Sequence, residues 1–126
     1  MQIELDSVVD RLARHGEVIV AWVYGSVARG EATDSSDIDL AVAFDEPHAE
    51  PWERVDALRA DLQEATTREL SVIDLNRAPT ALAYEVIRDG RVLLCRSDLR
   101  LHGEQQRVWS LWEEYRGHHE QRRTAP

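Results

Sequence analysis

Residues 18–44 read VIVAWVYGSVARGEATDSSDIDLAVAF, and their order decides the fold. Val18 to Tyr24 is a near-continuous apolar run, the pattern of a strand covered on both faces. Gly25 breaks it. A short loop or helix follows from Ser26 to about Glu31, and then a polar turn, Thr33-Asp34-Ser35-Ser36. Asp37 to Phe44 alternates in polarity and predicts a second strand, ended by Asp45, Glu46 and Pro47.

On the N-terminal side, Leu5, Val8, Val9 and Leu12 recur at helical spacing, so residues 3–15 predict an amphipathic helix closed by His15-Gly16. On the other side, Pro51 suits the first turn of a helix, and Trp52, Val55, Leu58 and Leu62 carry its apolar stripe to about residue 65. Glu69 to Leu75 predicts a third strand. Asn76 and Pro79 open a helix that runs through Leu82, Ala83, Val86 and Ile87 to Asp89-Gly90. Val92 to Leu94 predicts a short strand, with Cys95 a buried residue at its end. A last helix runs from Asp98 to about Arg116, with Leu101, Val108, Leu111, Trp112 and Tyr115 on one face. Helices separate most of the strands, so the expected class is α/β (α+β), a small mixed β-sheet flanked by helices. The expected organisation is one domain over residues 1–117 and a polar, flexible tail over 118–126.

Composition narrows the function. The chain has 126 residues, enough for one core, and a formal net charge of −9. All 15 basic residues are arginine, which excludes a P-loop lysine and Schiff-base chemistry. Acidic residues crowd the first 75 positions, and the remainder is mildly basic. No basic face suits sequence-independent nucleic-acid binding, so direct nucleic-acid contact is not expected. No apolar run approaches the length of a membrane span, and Glu4 and Asp6 stand where a signal peptide carries its basic region. The expected location is cytoplasmic. The single cysteine cannot form an internal disulfide.

The chemistry concentrates between Gly25 and Leu40. Gly25 lacks a Cβ, so another group can approach the backbone closely. A helix opening there would point free N–H groups at a phosphate, and the Ser26 hydroxyl would add a donor. Asp37 and Asp39 are two residues apart at a strand start and project to the same side. Paired carboxylates repel unless a cation sits between them, and an oxygen-only ligand set suits Mg²⁺ or Mn²⁺. Asp74, in the next strand, would join this cluster if that strand pairs beside the second. Three carboxylates could hold two metals, and Asp74 could also accept a nucleophile's proton. Each residue has a plainer reading: Asp37 as a turn cap, Gly25-Ser26 as a turn, Asp74 as a strand end. Their combination argues for a metal-bound nucleoside triphosphate.

Gly25-Ser26 followed ten residues later by Asp37-x-Asp39 resembles the signature of nucleotidyltransferases related to DNA polymerase β. The longer string GSVARGEATDSSDIDLAV resembles the minimal nucleotidyltransferase (MNT) family in particular. The resemblance implies the nucleotidyltransferase fold. It implies triphosphate contacts at Gly25 and Ser26, with Arg29 and Ser36 as further nucleotide-binding candidates, and metal ligation by Asp37 and Asp39. Asp74 matches a third carboxylate by strand position only. Arg29 has an equally good reading as a loop-fixing partner of Glu31 or Asp34. MNT proteins are similar to the antitoxin half of HEPN–MNT toxin–antitoxin pairs. The resemblance therefore implies transfer of AMP from ATP to a tyrosine of a HEPN ribonuclease toxin, in a hetero-oligomer, with Mg²⁺ or Mn²⁺ required. Two alternatives stand beside it: a non-catalytic module that neutralises a toxin by binding, and a nucleotidyltransferase with a small-molecule acceptor. On the last helix, Trp109 and Trp112 are either core residues or anchors for a partner.

Overall fold

The computed structural model describes residues 1–46 and 51–124, and the side chains of 51 and 119–124 lie outside the description. The chain order is α1 (Gln2–Leu12), β1 (Val18–Tyr24), α2 (Gly25–Ala28), β2 (Ile38–Phe44), α3 (Pro51–Gln63), β3 (Leu70–Asp74), α4 (Thr80–Asp89), β4 (Arg91–Cys95) and α5 (Asp98–Thr124). The sheet order is β3-β2-β1-β4. β1 runs antiparallel to β2 and to β4, whereas β2 and β3 are parallel, so the sheet is mixed as expected.

The two-residue period of the strands divides the core between the faces of this sheet. Val18, Ala21 and Val23 of β1 and Ile38, Leu40, Val42 and Phe44 of β2 pack with Leu5, Val8 and Leu12 of α1 and Leu58 and Leu62 of α3. Val20, Trp22 and Tyr24, with Ala41 and Ala43, face the other way and pack with Ala83 and Val86 of α4 and Val108 of α5. Both faces of β1 are thus covered, which is why its sequence reads as an unbroken apolar run. β4 differs. It is an edge strand, Val92 is 43% exposed, and Cys95 is exposed, not buried. Its apolar letters suggested burial, but only one neighbour covers it. α5 continues past the expected end near Arg116 to Thr124. Among the described residues no helix is long and apolar enough to cross a membrane.

Candidate active site

The site forms where β1 ends. Tyr24 is extended, and the chain turns directly into α2 through Gly25, whose φ is +72°. Glycine adopts this left-handed conformation without the steric cost that a Cβ brings. α2 has no side-chain N-cap, so its first-turn N–H groups point outward with no capping oxygen. A Cβ on Gly25 would lie 2.8 Å from Asp39 Oδ2, closer than real Cβ contacts allow. The bare glycine therefore lets a carboxylate of β2 stand against the start of α2. The antiparallel register explains the meeting, because Tyr24 pairs with Asp39. Ser26 is half-buried in the first turn of α2, and its carbonyl accepts the Glu31 N–H at 2.9 Å.

Asp39 lies on the sheet face that carries Tyr24. Its Oδ1 accepts a hydrogen bond from Ser71 Oγ at 2.8 Å, and Asp39 and Ser71 are register partners across the parallel β2–β3 pair. Burial pushes the Tyr24 hydroxyl pKa upward, and the charge of Asp39 adds to the shift; Ser71 opposes it through a hydrogen bond, and Glu85 raises it slightly further. Tyr24, Ser71 and Asp39 thus form one polar cluster at the edge of an apolar layer. Asp37 is exposed and immediately precedes β2, two residues from Asp39.

Asp74 does not join them. Its register partner is Val42, three positions beyond the Asp39–Ser71 pair, or roughly 10 Å along the strand. Three positions is odd, so Asp74 also falls on the opposite face of the sheet. There it lines a cleft with Trp52, Val55 and Asp56 of α3, and its Oδ1 accepts the Asn76 N–H at 2.9 Å. Among the described residues no group of three or more His, Cys, Asp or Glu is placed to hold a metal ion. The expected convergence of Asp74 with Asp37 and Asp39 is thereby corrected: Asp74 stands apart from Asp39 on the other face of the sheet. β3 does lie beside β2, as the cluster required, but the residue it brings to Asp39 is Ser71.

Two other candidates are engaged elsewhere. Arg29 Nε contacts Glu31 Oε2 at 3.1 Å, and Nη1 lies 3.5 Å from Glu85 Oε1, so its guanidinium joins the loop after α2 to α4. The Ser36 hydroxyl accepts the Thr33 N–H at 2.7 Å and staples the 33–36 turn. One contributor escaped the sequence reading. Arg68 Nη1 donates to the carbonyls of Thr33 at 2.8 Å and Ser36 at 3.0 Å, and its Nε pairs with Glu4 of α1. It fixes the loop that delivers Asp37. An arginine just before a strand carries no local signal of that role; only the β2–β3 pairing brings it there.

The family comparison is decisive here. Residues 6–99 match the model of the polymerase beta nucleotidyltransferase family. The chain belongs to that family. A structure described as a minimal nucleotidyltransferase is 34% identical over 68% of this chain and 85% of its own, with a TM-score of 0.53. A chain of a toxin–antitoxin crystal structure with AMP-PNP superposes with a TM-score of 0.79, covering 91% of both chains at 19% identity. A chain of the tri-AMPylated Shewanella oneidensis HEPN toxin in complex with MNT antitoxin superposes at 0.74, covering 94% of this chain and 92% of its own at 18% identity. Among curated proteins no sequence matches significantly. This nucleotidyltransferase therefore shares its fold with chains of toxin–antitoxin complexes, and its glycine–carboxylate junction lies within the family match.

Proposed function

We propose that the protein transfers AMP from ATP to a tyrosine hydroxyl of a HEPN-type toxin partner, and so acts as its antitoxin. The observation that carries this reading is the meeting of Gly25 and Asp39, which sets an uncapped helix start beside a carboxylate. The helix start suits the triphosphate, with the Ser26 hydroxyl as an added donor. Asp37 and Asp39 are an oxygen-only donor pair, and the bare Cα of Gly25 leaves Asp39 Oδ2 room beside it. These residues fit one Mg²⁺ or Mn²⁺, whose remaining positions water and phosphate oxygens would fill. When bound, the cation would neutralise charge on the triphosphate.

In the transfer, the tyrosine oxygen forms a bond to the α-phosphorus. The bond from that phosphorus to the bridging oxygen breaks, pyrophosphate leaves, and the phenolic proton passes to solvent. The chain's residues contribute by orienting the phosphates and holding the carboxylates in place, which is where phosphoryl-transfer catalysis mostly resides. The superposition on a chain solved with AMP-PNP supports a nucleotide substrate, and the complex with an AMPylated HEPN toxin supports a protein acceptor. The absence of a third carboxylate from the site among the described residues favours one second reading, a toxin-binding module with weak or no turnover. Two radiolabels separate the readings. With partner toxin, Mg²⁺ and ATP, label from the α-phosphate should appear in the toxin and label from the γ-phosphate should not. Toxin that is bound but carries neither label would overturn the transferase reading.

A further inference from the structure

Asp39 is the better buried of the two site carboxylates, and Ser71 is the side chain that fixes it. Ser71 Oγ donates to Oδ1 at 2.8 Å, while Oδ2 stands against Gly25. The hydrogen bond holds the carboxylate by one oxygen, and the missing Cβ of Gly25 leaves room for the other. Ser71 itself is fixed by the sheet, because it is Asp39's register partner in a parallel pair with no irregularity between Ile38 and Val42. Its place on β3 is also the place from which a third ligand would reach the same cation. Asp74, the nearest carboxylate on that strand, is on the other face.

We propose that Ser71 is a positioning residue: its hydroxyl engages Asp39 Oδ1 and so sets the orientation in which that carboxylate would meet a cation, and it stands with a hydroxyl where β3 could offer a further ligand. This rests on the nucleotidyltransferase reading above. Two consequences follow. Removal of the hydroxyl frees Asp39 to rotate and weakens cation binding without removing a charge. A carboxylate at position 71 adds a ligand and strengthens it.

The test is a Mn²⁺ titration of the nucleotide-free protein, following the free-ion electron paramagnetic resonance signal, for the wild type and Ser71→Ala, Ser71→Thr, Ser71→Asp and Asp39→Asn. Circular dichroism verifies that each is folded. Ser71→Ala should weaken Mn²⁺ binding about ten-fold, the lower end of the scale of one hydrogen bond to a charged group. Ser71→Thr, which keeps the hydroxyl, should restore it, and Ser71→Asp should bind more tightly than wild type. In toxin labelling, Ser71→Ala should raise the half-saturating Mn²⁺ concentration by the same factor. Wild-type affinity in folded Ser71→Ala, or no tightening in folded Ser71→Asp, would overturn the proposal while leaving the transferase reading intact. Wild-type affinity in Asp39→Asn would instead overturn the cation site, and this proposal with it.

Discussion

Gly25→Ala should separate backbone strain from damage to the site, because the chain supplies its own control. Gly25 and Gly30 have φ values of +72° and +73°, so an added Cβ strains both backbones alike. Around Gly30 nothing lies within 4 Å of that Cβ, whereas at Gly25 it falls 2.8 Å from Asp39 Oδ2. Left-handed strain costs a non-glycine residue about 1–2 kcal/mol, which for a domain of this length lowers Tm by roughly 4–8 °C. Both variants should show that loss. Gly25→Ala must in addition move the Asp39 carboxylate by about 0.6 Å to regain ordinary contact, and displacements approaching 1 Å can cost about a hundred-fold in rate. The expected result is similar thermal melts, near-normal AMP transfer in Gly30→Ala, and a drop of about 10- to 100-fold in Gly25→Ala. Melting by circular dichroism and initial rates of toxin labelling measure the two quantities. Equal rates in the two variants would refute the idea that Gly25 is bare in order to admit Asp39.

Asp37→Asn and Asp39→Asn should each abolish cation-dependent transfer while leaving the chain folded, since Asp37 is exposed and the Asp39 amide can still accept from Ser71; a fully active double variant would remove the carboxylate role. Arg68→Ala should lower stability by about 1–3 kcal/mol through its lost charge-assisted hydrogen bonds and should slow transfer by loosening the loop before Asp37, read by urea melts and labelling rates. Glu104 is 4% exposed between Arg100 at 2.9 Å and Arg107 at 2.8 Å. Burial pushes its pKa up, but the two arginines outweigh burial and hold it below the usual glutamate range. A depressed folded pKa gives stability that is complete above the unfolded value of about 4.3 and is lost as pH falls through the folded one. Wild-type Tm should therefore drop on acidification below that range, and Glu104→Gln should melt lower at neutral pH with a shallower acid slope.

Much of the fold was legible because each strand and helix carries its own period. The apolar run Val18–Tyr24, the glycine that ends it and the alternation into Phe44 predict β1, the turn into α2, and β2. The candidate residues Gly25, Ser26, Asp37 and Asp39 were legible because they lie close in sequence. Register was not. Nothing local distinguishes Asp74 from Ser71 as the residue of β3 that reaches Asp39, because that choice depends on pairing between strands about thirty residues apart. The role of Arg68 was hidden for the same reason. Cys95 was misread because burial of a short apolar strand depends on whether a neighbour covers it, and β4 lies at the sheet edge. On α5 the aromatic stripe divides: Trp112 stacks on Tyr84 at 4.3 Å, while Trp109 remains 53% exposed. Helical spacing specifies the stripe but not which of its members α4 covers.

The most direct measurement is the intact mass of the partner toxin after incubation with this protein, ATP and Mg²⁺, with Asp39→Asn in parallel. Adenylyl transfer predicts a gain of about 329 Da for each AMP, the mass of the nucleotidyl group left after pyrophosphate departs, and no gain with the variant. An unchanged toxin mass in the presence of active, folded protein would contradict the transferase reading.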